Sequence, residues 1–219
     1  MNNFQVAIDG PAGSGKSSIS SIIASKLGFT HIDTGAMYRA VCLEAMQRKI
    51  NLDNESEYNF LNDIDIKYNL GKTFLNGKDV SNEIRHPNIS ANVSTVAKIA
   101  RVREKMVYFQ QESAKIGNVL MDGRDIGSVV LPNAQVKIFL TASVLERAKR
   151  RMLELKAKGE DANLEEIKKA IEERDYKDSH REISPLVMAS DAILIDTTSL
   201  TIDEVCNKII EIISKRMGE

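Results

Sequence analysis

Five short apolar runs punctuate the chain: Gln5–Ile8, Thr30–Ile32, Val119–Met121, Val136–Leu140 and Ala192–Ile195, each followed by Asp or Thr. Continuous apolar runs of this length suit strands of a parallel sheet covered on both faces, where no position alternates to solvent. Helical periodicity fills the spaces between them, over Lys16–Leu27, Ala36–Arg48, Val144–Lys158 and Ile202–Arg216. Strands alternating with helices predict βαβ units and an α/β fold: a five-stranded parallel sheet with helices on both faces.

One stretch breaks this rhythm. Ile64–Leu70 alternates apolar and polar, Thr73–Leu75 is strand-like, and Gly71 and Asn76-Gly77 supply turn signals. A small antiparallel insertion is expected there. After Pro87 a helical stripe of Ile89, Val93, Val96 and Ala100 is offset from a second one of Val102, Met106 and Phe109. The offset predicts a helix break near Ala100.

The 219 residues suit one domain with an insertion or two small lobes. With 30 Lys and Arg against 31 Asp and Glu, the net charge is -1. That balance argues against nucleic acid as the main partner. Two distant cysteines, Cys42 and Cys206, offer neither a disulfide nor a zinc framework and fit a reducing compartment. No signal peptide is read at the N-terminus, and no apolar run approaches the ~18 residues of a membrane span. The expectation is a cytoplasmic protein without a membrane partner, acting as a monomer.

The first strand runs into Gly10-Pro11-Ala12-Gly13-Ser14-Gly15-Lys16-Ser17, followed by Ser18. This fits G-x-x-x-x-G-K-[ST] between a strand and a helix, the context that gives the motif its meaning. Glycines let successive N–H groups face an anion, and the helix N-terminus adds its positive end. Lys16 reaches the β- and γ-phosphates of ATP, and the Ser17 hydroxyl suits Mg²⁺. The loop specifies a triphosphate and its metal and leaves the second substrate open.

Further turns fall at the same sheet edge, where open α/β sheets bind ligands. Asp33–Arg39 opens the second helix; Thr34 is a candidate cap, and Arg39 is placed one turn in. In Asp122–Gly127, Asp122 stands like a Walker-B carboxylate that holds Mg²⁺ through water, while Arg124 and Asp125 follow it. In Val144–Lys158, Leu145, Ala148, Met152 and Leu155 share one face, and Arg147, Arg150 and Arg151 the opposite one. That is either a solvated basic face or a set of arginines closing over a transferring phosphoryl group. Lys158-Gly159-Glu160 resembles the tip of a lid. A helix from Leu164 carries Arg174, Asp178 and Arg181 on one face and should stop before Pro185. This stripe is either a surface ion-pair ladder or a site for a ribose hydroxyl and a phosphate. His31, His86 and His180 have no metal spacing and are read as structural or solvated.

An alcohol acceptor needs a general base, and no carboxylate stands out as one. A phosphate monoester, with a second pKa near ~6, is already largely dianionic at neutral pH and needs cations instead. Lys16, Arg39, Arg124, Arg147, Arg150, Arg151, Arg174 and Arg181 are available, which favours a nucleoside monophosphate as acceptor.

The chain resembles the bacterial cytidylate kinases over essentially its whole length. The resemblance rests on Asp9–Ser18, Asp33–Arg39, Asp79–Arg85, Arg101–Glu104, Asp122–Gly127, Val136–Leu140, Arg147–Leu153, Glu173–Arg181 and Pro185-Leu186, in the family's order. It implies transfer of the ATP γ-phosphate to CMP, and to dCMP as well, with Mg²⁺. It implies a P-loop core of 1–50, 101–143 and 185–219, a monophosphate-binding insertion over 51–100, and a lid with its following helix over 144–184. By position, Ser94, Arg103 and Asp125 would read cytosine. Asp178 with Arg174 would hold the sugar, and Arg39, Arg124 and Arg181 the acceptor phosphate, with Thr34 beside them. Lys16, Arg124, Arg147 and Arg151 would be the catalytic cations. On an unbroken helix Ser94 and Arg103, nine residues apart, would point in opposite directions, so the break near Ala100 is required. Thr34 stands where some relatives have Ser, and Lys177 where some have Arg. Other small-molecule kinases of this fold, such as a UMP/CMP or dephospho-coenzyme A enzyme, are the nearest alternatives. A non-catalytic nucleotide switch is the alternative of a different class, but it does not need a second anion site.

Overall fold

The structure is a computed structural model that describes residues 3–69, 71–157 and 159–218. Five parallel strands, β1 (Gln5–Asp9), β2 (Thr30–Asp33), β6 (Val119–Gly123), β7 (Val136–Thr141) and β8 (Ile193–Asp196), form one sheet in the order β2-β6-β1-β7-β8. β1 is central, and its residues Gln5 to Asp9 pair in register with Val119 to Gly123. A second sheet of β3 (Ile66–Asn69), β4 (Lys72–Leu75) and β5 (Lys78–Asp79) is antiparallel.

The apolar runs are continuous because successive side chains feed two cores. Val6, Ile8 and Leu120 pack with Ile19 and Ile23 of α1 (Lys16–Leu27) and Ile209 and Ile213 of α7 (Ile202–Met217). Ala7, Val119 and Met121 face the other way, into a core with Met37 and Val41 of α2 (Thr34–Gln47). That second core also takes Ile66, Leu75 and Ile84 from the insertion. Its remaining walls are α3 (Pro87–Ala97) and α4 (Ala100–Ser113), through Ile89, Val93, Val96, Val102 and Met106. α5 (Val144–Ala157) and α6 (Leu164–His180) pack against each other.

The expected break separates α3 from α4 at Lys98-Ile99, with Ile99 extended, so Ala100 opens α4 instead of ending the preceding stripe. Asn76 and Gly77 both have positive φ, which two-residue hairpin turns between twisted strands require. The third strand of the small sheet, β5, was not apparent in the apolar pattern. Leu70 and Lys158, the ends of two expected elements, lie outside the described residues.

Three expectations need correction. The run ending at Ile195 is an edge strand, with Ile193 and Leu194 45% and 56% exposed and only Ile195 fully buried. Its apolar character overstated its burial. In α5, Ala148 is buried but Leu145 is exposed, whereas Arg147 is buried. The helix therefore turns an arginine, not a leucine, toward the loop after β1. Thr34 does not cap α2: Asp33 does, accepting from the Ala36 N–H at 2.9 Å. Thr34 instead donates from Oγ1 to the Asp122 carbonyl at 2.7 Å, tying α2 to β6.

Among the described residues no helix is long and apolar enough to cross a membrane. Both cysteines are free and buried, and burial pushes the Cys42 thiol up to about 12.

Candidate active site

The loop Gly10–Gly15 leaves the carboxyl end of the central strand and enters α1 at Lys16. Gly10 is there for space as well as conformation. A Cβ would lie 2.0 Å from the Leu140 carbonyl oxygen of β7. Pro11 and Ser14 are buried, Gly13 and Ser18 are exposed, and Ala12, Gly15 and Ser17 are intermediate. Lys16 folds over the loop, its Nζ donating to the Pro11 carbonyl at 2.7 Å and to Ser14 Oγ at 3.2 Å. Burial, and then the Arg124 cation, pull its ammonium well below the ordinary lysine range, with Asp122 and Asp9 offsetting part of that. Ser17 Oγ donates to Asp122 Oδ2 at 2.7 Å, so the two expected metal-site residues are adjacent. His31 Nε2 meets the other oxygen of Asp122, also at 2.7 Å, a structural partner for that carboxylate.

Beside the loop lies a concentration of arginines. Arg124 Nε donates to Asp178 Oδ2 at 2.9 Å, and Asp178 Oδ1 accepts from Ser94 Oγ at 3.3 Å. Arg174 Nε is 4.0 Å from Asp178 Oδ2. The buried Arg103 bonds Asp125 through its NH2 group, and Arg181 reaches the other Asp125 oxygen at 3.4 Å. Ser94 of α3 and Arg103 of α4 thus lead into two polar clusters, one on Asp178 of α6 and one joined by Arg181 at its C-terminal end, a convergence that the break at Lys98-Ile99 permits.

The electrostatics are unusual. Arg39, Arg103 and Arg174 each have a buried Nε without a hydrogen-bond partner among the described residues. Burial, then the neighbouring Arg124 and Arg39 cations, lower Arg174 to about 9. Arg39 is lowered by burial and then, despite Asp33, by Arg85, Arg124 and Arg151. Burial would raise Asp33, but Arg39 and Arg85 outweigh it and hold the carboxyl below its ordinary value. Asp178 behaves likewise: burial opposes, and Arg124 and Arg174 win. Cations crowded against one another with buried, unpaired donors are stable partners for an added anion and costly without one.

The two α5 arginines expected over the phosphates are held by the protein. Arg147 donates through Nε to the Ala142 carbonyl and through NH1 to the Ala12 carbonyl, both at 3.0 Å. Its NH2 is 2.6 Å from Asp175 of α6. Arg151 pairs with Glu154 at 3.0 Å. Arg150 donates to Thr197 through two nitrogens.

The cytidylate kinase family model matches residues 6–215. A cytidylate kinase from Lactobacillus johnsonii is 56% identical over 218 residues, 97% of this chain and 95% of the relative. One from Pediococcus pentosaceus is 52% identical over 219 residues, 97% of each chain. The chain belongs to the cytidylate kinase family. Among solved structures, an uncharacterized protein from Eubacterium ventriosum shares the fold with a TM-score of 0.53 at 13% identity, over 98% of this chain and 99% of that one.

Membership of the cytidylate kinases makes the site's unanticipated residues worth naming. Asp33 and Arg85 form an ion pair at 3.0 Å beside Arg39. Asp175 anchors Arg147. Tyr38 lies under the Arg103 guanidinium, 5.5 Å from ring centroid to Cζ, and burial pushes its hydroxyl up to about 12. Asp9, buried at the end of β1, accepts from the Ile126 and Gly127 amides at 2.8 and 2.7 Å. Asp9 and Asp33 carried a sequence signal, each an acidic residue terminating an apolar run. The partnerships of the others depend on contacts between separate elements.

Proposed function

We propose that this chain transfers the γ-phosphate of ATP to CMP, and to dCMP as well, giving ADP and CDP or dCDP. Family membership supports the activity. The observation that carries the two-anion reading is the buried Arg39 Nε, without a hydrogen-bond partner among the described residues and close to the Arg85, Arg124 and Arg151 cations.

The donor triphosphate lies on the loop from Gly10 to Ser18. Lys16 exchanges its bonds to Pro11 and Ser14 for bonds to β- and γ-oxygens, a charged acceptor replacing neutral ones. Ser17 and Asp122 offer the hard oxygen donors that suit Mg²⁺. Among the described residues no group of three or more acidic, His or Cys side chains could hold a metal by itself, which suits an ion that relies largely on substrate phosphates. When bound there, the ion would supply charge neutralisation for the phosphates.

Arg39, Arg124 and Arg181, with Thr34 nearby, hold the acceptor phosphate; Arg174 and Asp178 hold the sugar. Because the acceptor arrives ionised, catalysis here is positioning and charge stabilisation by Lys16, Arg124, Arg147 and Arg151. Arg103 and Asp125 fix each other's orientation and present donor and acceptor side by side. Asp125 accepts from the cytosine N4 amine and Arg103 donates toward N3 and O2, with Ser94 completing the edge. Uracil would set its O4 against the Asp125 carboxylate, an unpaired repulsive contact. The insertion over 51–100 serves the acceptor, and the segment over 144–184 acts as a lid that excludes water.

ADP formation from ATP and Mg²⁺ tests this, measured without acceptor and then with CMP, dCMP, UMP or dephospho-coenzyme A in separate reactions. CMP-dependent ADP release is expected. ATP binding without acceptor-dependent turnover would fit a nucleotide switch and refute the kinase reading.

A further inference from the structure

Asp125 stands at the start of the single turn Ile126–Val130, in the position where an aspartate ordinarily bonds the first free amides, yet its side chain makes no such bond. Its carboxylate is committed instead to Arg103 and Arg181. The amides of Ile126 and Gly127 are taken by Asp9, 117 and 118 positions earlier in the chain. Each Asp9 oxygen holds one amide, and the carboxyl is only 5% exposed on the central strand next to Gly10. A buried carboxylate is expensive, and an apolar residue would continue the run of β1 at lower cost. What the carboxylate supplies is a fixed distance between the donor loop and the turn that carries Asp125.

We propose that Asp9 is a positioning residue of the acceptor site: by capping the turn in place of Asp125, it frees the Asp125 carboxylate for the cleft and sets the preference for cytosine. This rests on the reading of Asp125 as the group that recognises the base. Asp9 touches neither substrate. Its contact with the acceptor side runs through two backbone amides, while its charge also reaches Lys16, so its role in acceptor selection is read from the CMP-over-UMP ratio.

Asp9→Asn keeps the shape but turns an amide donor toward one of the two N–H groups. The expected result, with a wild-type melting profile, is a rise of about tenfold or more in KM for CMP and a fall in the CMP-over-UMP kcat/KM ratio, with KM for ATP changing less than about twofold. Gly127→Ala tests the same contact from the other side, with the carboxylate retained. Its Cβ would lie 3.4 Å from Asp9 Oδ2 and 3.2 Å from Lys137 Cδ, so a smaller shift in the same direction is expected. If Asp9→Asn does not fold, Gly127→Ala decides the matter. A folded variant with unchanged KM for CMP and unchanged selectivity, or with equal losses for ATP and CMP, overturns the inference. Asp125→Ala is measured alongside. Loss of selectivity there, with none in Asp9→Asn or Gly127→Ala, removes the Asp9 role alone. Retained selectivity in Asp125→Ala overturns the base-reading assignment and this inference together.

Discussion

At the donor loop, the key polar side chains already have partners: Lys16 on Pro11 and Ser14, Ser17 on Asp122, and Arg147 on Ala12, Ala142 and Asp175. On the proposed acceptor side, Arg39, Arg103 and Arg174 each bury an Nε without a hydrogen-bond partner among the described residues, and Arg174 and Arg39 lose proton affinity to burial and to neighbouring cations. The donor site is a self-consistent loop that trades one set of acceptors for another. The proposed acceptor site crowds cations against one another, a repulsion that a bound dianion would relieve. Donor binding should therefore change stability modestly, and acceptor binding should change it strongly.

The largest expected effect is at the donor side. Lys16→Ala should lower kcat by at least about 10³-fold, read by initial rates at saturating substrates. Near-normal turnover would remove the loop from catalysis. Next, Asp125→Ala should reduce kcat/KM for CMP by about 100-fold, with KM for ATP nearly unchanged. Equal losses for every monophosphate would make Asp125 a general support and not a reader of the base.

The sharpest division between the two sides comes from Arg39→Met. Removing a half-buried cation with a buried Nε, whose carboxylate neighbour Asp33 keeps Arg85, should raise the melting temperature of the ligand-free protein by about 2–4 °C, on the order of 1 kcal/mol. The same variant should lose much of the thermal stabilisation by CMP. A lower melting temperature without ligand would contradict stored repulsion at this site.

The contrast also explains what was legible beforehand. The donor loop is one contiguous string between a strand and a helix, so its residues and its chemistry could be read together. The proposed acceptor site draws on α2, α3, α4, the turn after β6, α6 and the segment beyond it, and only the family resemblance brought Ser94, Arg103 and Asp125 together. Periodicity located the break between α3 and α4 because two apolar stripes were out of phase. It misjudged α5 because burial of an arginine leaves no apolar signature: Arg147 is buried by its bonds to Ala12, Ala142 and Asp175. It overstated burial in β8 because an edge strand with exposed Ile193 and Leu194 has the composition of a central one. Thr34 looked like a cap because hydroxyls commonly are, but its hydroxyl serves Asp122 while Asp33 caps.

The smallest expected effect is a pH slope. Burial raises the Asp9 carboxyl to about 6 from 3.8. Between those values the folded chain binds more protons than the unfolded chain, so this group's contribution is fully present below pH 4 and is lost as pH rises through 6. Denaturant titrations of wild type and Asp9→Asn over pH 4–6 should show a more positive stability slope in the variant. Parallel slopes would mean that Asp9 is not held at a raised value.

The central claim is that one cleft pairs a triphosphate with a cytidine monophosphate. A direct measurement is a competition in one vessel, with limiting γ-labelled ATP, Mg²⁺ and equal concentrations of CMP, UMP, AMP and GMP, followed by separation of the products. The partition of label gives the ratios of kcat/KM without separate assays. Label is expected overwhelmingly in CDP; label spread evenly over the four diphosphates, or released as inorganic phosphate, would contradict a cleft built for cytidine monophosphate.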